Sequence, residues 1–151
     1  MAKNMTNSKL QISNLYKIFG PNAKKFVKSV NDGMSKQDLL DKHNHVLGLN
    51  NINLSIPERK VQVIMGLSGS GKSTLIRHIN RLIEPTSGEL FVDGEDVLAM
   101  SSTQLRDFRR KVTSMVFQKF ALLPHKTVSQ NVAYGLTIQG VKEQEAKDQS
   151  H

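Results

Sequence analysis

The chain has 151 residues, which is enough for one domain with a sizeable core but not for two large ones. It contains no cysteine, so disulfides and thiolate metal sites are excluded. The net charge of +8 favours a polyanionic or acidic partner. The basic residues are scattered and lack interleaved aromatic residues, so a solvated basic surface is favoured over nucleic-acid binding. No apolar run approaches ~20 residues, and we expect a cytoplasmic protein without a signal peptide or a membrane span.

The first half of the chain carries strand patterns separated by one insertion. Residues 9–19 alternate apolar and polar side chains with one exception, which predicts a half-buried strand. Residues 22–47 are rich in lysine and amide side chains, and Ser35 begins a capping-box pattern, so this segment is predicted to be a small helical insertion. Residues 49–56 alternate again, and residues 61–65 form an apolar β-branched run. Both segments are predicted strands.

The most specific motif of the chain directly follows residues 61–65. It fits the pattern G-x-x-x-x-G-K-[ST] of a phosphate-cradling loop and consists of Gly66, Leu67, Ser68, Gly69, Ser70, Gly71, Lys72, Ser73 and Thr74. The glycines allow successive N–H groups to point at an anion, Lys72 reaches the β- and γ-phosphates, and the Ser73 hydroxyl suits Mg²⁺. Leu75 and Ile79 then recur at helical spacing, as the motif requires. This context argues against a chance glycine-rich turn.

The segments after the loop have clear turn and cap signals. Residues 88–94 predict a strand and a tight turn, because Asp-Gly is a strong hairpin signal. Ser101 and Thr127 each begin a cap pattern that opens a predicted helix. Residues 141–151 are polar and charged, and they are predicted to be a frayed helix or a disordered tail.

One further apolar run, residues 112–117, predicts a strand with Gln118 at its end. The chain therefore has antiparallel strands early and a strand–loop–helix unit after them. Such an order implies an α/β core with an appended antiparallel β-subdomain.

These residues together resemble the ATP-binding subunit of ABC transporters. The resemblance rests on the order of elements, on the phosphate loop, and on V-F-Q at residues 116–118 followed by L-P-H at residues 123–125. The loop, residues 80–88 and the N-L-Y-K-I-F-G of residues 14–20 are similar to the branch that imports glycine betaine, proline and related quaternary amines. The likeness covers residues 9–140.

The resemblance implies a phosphate-loop NTPase fold, with a RecA-like core and an antiparallel β-subdomain. Residues 1–140 are then the N-terminal portion of the ATP-binding domain, with residues 22–47 as its helical insertion and residues 141–151 as a polar tail. It also implies ATPase activity that couples ATP binding and hydrolysis to transport.

The resemblance further implies a role for individual residues, with ATP and Mg²⁺ as cofactors. Residues 66–74 hold the triphosphate, and Lys72 and Gln118 serve catalysis. Ser73 and Gln118 contact Mg²⁺, and Gln118 also touches the attacking water. Phe19 lies where the family places an aromatic ring that stacks on adenine, and Tyr16 is its rival because the insertion blurs the spacing.

The implied partners are transmembrane permease subunits, a second ATP-binding subunit and, indirectly, a substrate-binding protein, but not nucleic acid. The chain would lie at the inner face of the cell membrane through the permease subunits. Phe120, Leu122 and Leu123 follow the glutamine and offer an apolar docking surface, with ordinary core packing as the alternative.

The sequence departs from the family pattern after Gln118. The Leu-Ser-Gly-Gly-Gln signature, the strand ending in Asp-Glu and the switch histidine do not appear. We therefore expect a C-terminally truncated domain that binds nucleotide weakly and hydrolyses very little by itself. The alternatives are a hydrolysis-incompetent remnant that binds nucleotide or partners only, and another phosphate-loop enzyme such as a small kinase.

Overall fold

The computed structural model describes residues 8–118 and 122–150 and divides the chain into two compact units, residues 1–100 and residues 101–151. Within the described part of the first unit, the sheet has four antiparallel strands in the order β2-β1-β3-β4. The strands are β1 (Ser8–Phe19), β2 (Val46–Pro57), β3 (Ser87–Val92) and β4 (Glu95–Asp96). The predicted strands at residues 9–19, 49–56 and 88–94 are confirmed.

The central strand β1 buries its apolar residues on both sides of a bulge. Leu10 and Ile12 pair with β3, and both are buried. The register then shifts between Ile12 and Leu15, and Asn14 adopts a φ of 48°. A bulge inserts an extra residue and re-aims the side chains that follow it, which accounts for Tyr16, the one exception to the sequence alternation.

The insertion between β1 and β2 is helical, as predicted. It comprises a 3-10 turn (Ala23–Phe26), helix α1 (Val27–Asn31) and helix α2 (Lys36–His43). Its buried side chains pack with Tyr16 and Ile18 of β1 in one cluster. The Ser35 hydroxyl accepts from the Asp38 N–H at 3.0 Å and donates to the Asp38 carboxylate at 2.6 Å. Ser35 therefore caps α2 as its position predicts. Helix α3 (Lys72–Ile79) follows β2 along the chain.

The hairpin between β3 and β4 has the turn that its sequence predicts. Asp93 and Gly94 both have positive φ, 51° and 79°. These angles match the twist of a two-residue hairpin turn, and Asp-Gly adopts them at little cost.

Two predicted strands are wrong. Residues 61–65 and residues 112–117 have no regular secondary structure, and several of their side chains are exposed. Val61 is 93% exposed and Val116 is 96% exposed. Strand propensity alone does not make a strand, because the backbone N–H and C=O groups must pair with a neighbouring strand. Neither segment pairs with the sheet found among the described residues.

The described part of the second unit is helical, with α4 (Ser102–Lys111), α5 (Val128–Ile138) and α6 (Glu143–Gln149). The capping boxes at Ser101 and Thr127 are both present, so these two predictions are confirmed. Ala133 of α5 and Ala146 of α6 are buried where the two helices pack. Helix α6 lies within residues 141–151. Among the described residues, every helix is too short or too polar to span a bilayer.

Candidate functional site

The loop that the motif predicted leads into helix α3 (Lys72–Ile79) of the first unit. The Ser70 N–H donates to the Leu67 carbonyl at 3.2 Å, which closes a turn within the loop. Gly69 and Gly71 have φ of 77° and 93°, a region that glycine enters without steric cost. The loop therefore has the curled backbone that the glycine spacing predicted.

Lys72 stands at the first position of α3 and folds back over the loop. Its Nζ donates to the Gly66 and Leu67 carbonyls at 2.7 Å each, and it lies 3.4 Å from the Ser70 hydroxyl. The ammonium is thus held at the mouth of the loop by three oxygens. A compact charge on a flexible stem can leave such contacts for a phosphate oxygen.

The N-terminus of α3 is open to an anion. Its cap residue is Gly71, no side chain of the described chain caps it, and its first turn holds no acidic residue. The first N–H groups of a helix lack partners within the helix and carry a partial positive charge. By contrast, the N-termini of α2, α4 and α5 are satisfied by side-chain oxygens.

The donor set of this loop fits a nucleotide-borne Mg²⁺ better than a protein-only metal site. The Ser73 side chain is exposed beside Lys72 and offers one hydroxyl. Among the residues that the structure describes, no group of three or more His, Asp or Glu side chains could hold a metal ion. Mg²⁺ keeps several waters and is bound through few protein ligands together with phosphates, so one hydroxyl suffices here.

A glycine contact brings the loop close to strand β2. A methyl group added to Gly71 would lie 2.6 Å from the Gly48 carbonyl oxygen and 3.2 Å from Cδ2 of Leu49. On the same strand, a methyl group added to Gly48 would lie 2.7 Å from the Phe19 ring. The Phe19 ring and the loop therefore both come close to Gly48. Sequence reasoning missed Gly48, because the predicted strand began at residue 49, whereas β2 begins at Val46. A glycine inside a strand signals a bulge or a close approach.

The structure separates the two aromatic candidates clearly. Phe19 is the last residue of β1 and is 40% exposed. Tyr16 is 6% exposed, packs in the cluster with the insertion, and donates its hydroxyl to Asn31 Oδ1 at 3.0 Å. The Tyr16 ring is therefore enclosed and its hydroxyl satisfied, whereas part of the Phe19 side chain reaches solvent.

Lys17 adds a positive charge beside the Phe19 ring. Its Nζ lies 4.9 Å from the ring centroid and donates to the Glu84 carbonyl at 2.7 Å. Burial lowers the pKa of Lys17, and the Glu84 carboxylate partly offsets that effect. The lysine therefore links the end of β1 to the segment that follows α3.

The far end of α3 is anchored by two residues that sequence reasoning also missed. His78 is fully buried, its Nδ1 lies 2.6 Å from the Thr74 carbonyl, and its Nε2 has no partner among the described residues. Arg81 donates to the Val97 and Met100 carbonyls at 3.1 and 2.8 Å and pairs with Glu84. A helical pattern does not distinguish such anchors from ordinary core and surface residues.

The remaining predicted residues belong to the second unit. Gln118 is exposed at the end of the irregular segment that follows α4. Leu122 is 65% exposed, and the backbone of Leu123 exchanges hydrogen bonds with the Asn131 side chain. Phe120 lies outside the described residues.

A cavity of about 360 Å³ opens between α5 and α6. Tyr134 lines it on α5, with the Lys126 ammonium 5.9 Å from the ring centroid. Glu143 lines it on α6, where it pairs with Lys147 at 2.9 Å, and this hydrogen bond lowers the pKa of Glu143. None of the residues predicted from the motifs lines this cavity.

The class of protein follows from the loop, the helix and a family match. A family model described as ABC transporter matches residues 49–151. The chain belongs to this family, which confirms the resemblance drawn from the sequence.

Curated relatives make the likeness more particular. The chain is 47% identical over 142 residues to the glycine betaine/proline betaine transport system ATP-binding protein ProV of Escherichia coli (strain K12). It is 46% identical over 142 residues to the glycine betaine transport ATP-binding protein OpuAA of Bacillus subtilis (strain 168). Both matches cover 94% of this chain, but the chain spans only 36% and 34% of these relatives.

A solved structure shares the fold. The ATP-binding cassette MJ0796, in a dimeric post-hydrolysis state bound to ADP and Pi, matches with a TM-score of 0.73 and 28% identity. The match covers 93% of this chain and 53% of that one. The predicted fold class is confirmed at this level, although two of the strands predicted for the core are not formed.

Proposed function

We propose that this chain is the N-terminal part of the ATP-binding subunit of an ABC importer for glycine betaine, proline or a related quaternary amine. The observation that carries the proposal is the glycine loop of residues 66–71, which ends at the open N-terminus of α3 with the Lys72 ammonium above it. The names of the relatives, which are transport ATP-binding proteins for betaines, support the importer branch.

In this proposal the backbone of the loop and the first turn of α3 hold the triphosphate. The N–H groups and the helix dipole provide fixed positive charge, and Lys72 adds a mobile one. The Ser73 hydroxyl would hold Mg²⁺ in the first unit, and the family resemblance gives Gln118 of the second unit the role of a further oxygen ligand that would also orient the attacking water. Bound Mg²⁺ supplies charge stabilisation for phosphoryl transfer.

The role of stacking on the nucleotide base is assigned to Phe19. Its ring is exposed at the end of β1 and lies against β2 close to the loop, whereas Tyr16 is buried. Stacking on an aromatic ring contributes about 1–3 kcal/mol per base and requires only a reachable face. The proposal therefore places base and triphosphate within one unit of the chain.

The partners belong to the same proposal. The whole protein would act with transmembrane permease subunits and a second ATP-binding subunit at the inner face of the cell membrane, and indirectly with a substrate-binding protein. The second unit offers apolar side chains for a permease contact, since Leu122, Val128 and Val132 are 65%, 82% and 59% exposed. The dimeric state of the MJ0796 cassette supports pairing of two such subunits.

Titration calorimetry of the full chain with Mg-ATP tests the proposal. We expect a saturable heat of binding that is lost in Lys72→Ala. The control variant Lys111→Ala, which removes an exposed lysine at the end of α4, should retain it. Equal heat for both variants and the parent chain would rule out the loop as the nucleotide site.

A further inference from the structure

Gly48 occupies a bulge in β2. Lys17 pairs with Leu49 and Ile18 pairs with Leu47, so Gly48 is the extra residue between two consecutive partners. Next along the strands, Phe19 pairs with Val46. A bulge kinks the strand and redirects nearby side chains, so this one can orient the Phe19 ring and the Gly48 carbonyl.

Two independent close approaches meet at this residue. On its side-chain side, an added methyl group would lie 2.7 Å from Cε2 and 3.3 Å from Cδ2 of Phe19. On its carbonyl side, the Gly48 oxygen would lie 2.6 Å from a methyl group added to Gly71 of the loop. Both distances are below 3.0 Å, so neither Gly48 nor Gly71 could carry a Cβ unless its neighbour moved. The Phe19 ring and the loop therefore each approach β2 at a point where a side chain is missing.

We propose that Gly48 is a positioning residue for the nucleotide base. Its missing side chain seats the Phe19 ring against β2, and its carbonyl sets the distance from that ring to the phosphate loop. This inference rests on the proposed function, because it requires that Phe19 stacks on the base. It adds a residue that neither the motif nor the family match singles out.

The two contacts make different predictions for base and phosphate binding. In Gly48→Ala the new methyl group overlaps the ring, and the ring must turn away because it is the movable group. The Gly48 carbonyl belongs to the backbone and is not changed by the substitution. The phosphate loop therefore keeps its close approach to β2 at Gly71. The substitution therefore weakens binding of the base and spares binding of the triphosphate.

The experiment compares two ligands on the full chain, Mg-ATP and Mg-tripolyphosphate, which lacks the base. Calorimetry gives the Kd of each ligand for the parent chain, Gly48→Ala, Phe19→Ala and the double variant. Gly135→Ala is the matched control, because its added methyl group meets nothing within 4 Å. We expect Gly48→Ala to raise the Kd of Mg-ATP about fivefold or more, with the Kd of Mg-tripolyphosphate unchanged within twofold.

The double variant supplies the decisive comparison. With the ring removed there is nothing for the methyl group to displace, so Phe19→Ala and the double variant should share one Kd for Mg-ATP and one thermal midpoint. This comparison holds even where Gly48→Ala alone fails to fold. A further loss in the double variant, or an equal loss for both ligands in Gly48→Ala, would overturn the inference.

Failure of the proposed function gives a different pattern. If Phe19→Ala leaves the Kd of Mg-ATP unchanged, then Phe19 does not stack on the nucleotide base, and the role of Gly48 is refuted with it. If Phe19→Ala weakens Mg-ATP but Gly48→Ala does not, the base assignment stands and only the role of Gly48 is refuted. Lys72→Ala tests the phosphate loop separately through Mg-tripolyphosphate.

Discussion

Replacing Gly71 with alanine perturbs the phosphate loop at the point where it approaches β2. The residue has a φ of 93° and ψ of 3°, and an added methyl group would lie 2.6 Å from the Gly48 carbonyl oxygen. Gly69 in the same loop provides a control. It also has a positive φ, 77°, but its added methyl group meets nothing within 4 Å.

Both substitutions strain the backbone, and only Gly71→Ala also causes overpacking. A non-glycine residue in the left-handed region costs about 1–2 kcal/mol, which applies to both positions. Overpacking against fixed backbone adds about 1–3 kcal/mol, which applies to Gly71 alone. We therefore expect Gly71→Ala to lower the free energy of unfolding by about 1–3 kcal/mol more than Gly69→Ala does.

Urea denaturation followed by circular dichroism measures this difference, and calorimetry with Mg-ATP shows its consequence. Gly71→Ala should bind more weakly than Gly69→Ala, because the overlap with β2 would displace the residue at which α3 begins. Equal free energies of unfolding for the two variants would refute the close approach on which this reasoning depends.

Three further predictions concern contacts that stabilise the fold of each unit. Tyr16→Phe loses the hydrogen bond to Asn31, so we expect a loss of about 1 kcal/mol of stability with an unchanged Kd for Mg-ATP; a weaker Kd would make Tyr16 the stacking ring. Thr127→Ala removes the cap of α5 and should cost about 1 kcal/mol in a thermal melt, whereas Thr127→Ser should cost little. Burial lowers the pKa of His78, so the unfolded chain binds more protons and stability falls as the pH drops below about 6.5. Urea midpoints at pH 7.5 and 5.5 should therefore differ less in His78→Gln than in the parent chain, and an equal difference would contradict this.

Sequence alone predicted those features that depend on a few neighbouring residues. The loop, the Asp93 turn and the caps at Ser101 and Thr127 each depend on local backbone conformation and on side chains within three residues. The helical insertion followed from the same kind of signal at Ser35.

The features that sequence did not predict depend on partners distant in the chain. Residues 61–65 have the composition of a strand, but a strand exists only where a neighbour pairs with it. The burial of Tyr16 and the exposure of Phe19 depend on which ring the insertion covers, and the position of Gly48 depends on a bulge between two strands about 30 residues apart. None of these can be read from a local pattern.

The proposed nucleotide site consists mainly of the backbone amides of the phosphate loop, and their NMR signals report on it residue by residue. Titration of the ¹⁵N-labelled full chain with Mg-ATP should shift the amide resonances of Gly69, Gly71, Lys72 and Ser73 more than any others in the first unit. Shifts confined to other parts of the chain, with these four resonances unmoved at saturation, would contradict nucleotide binding at this loop.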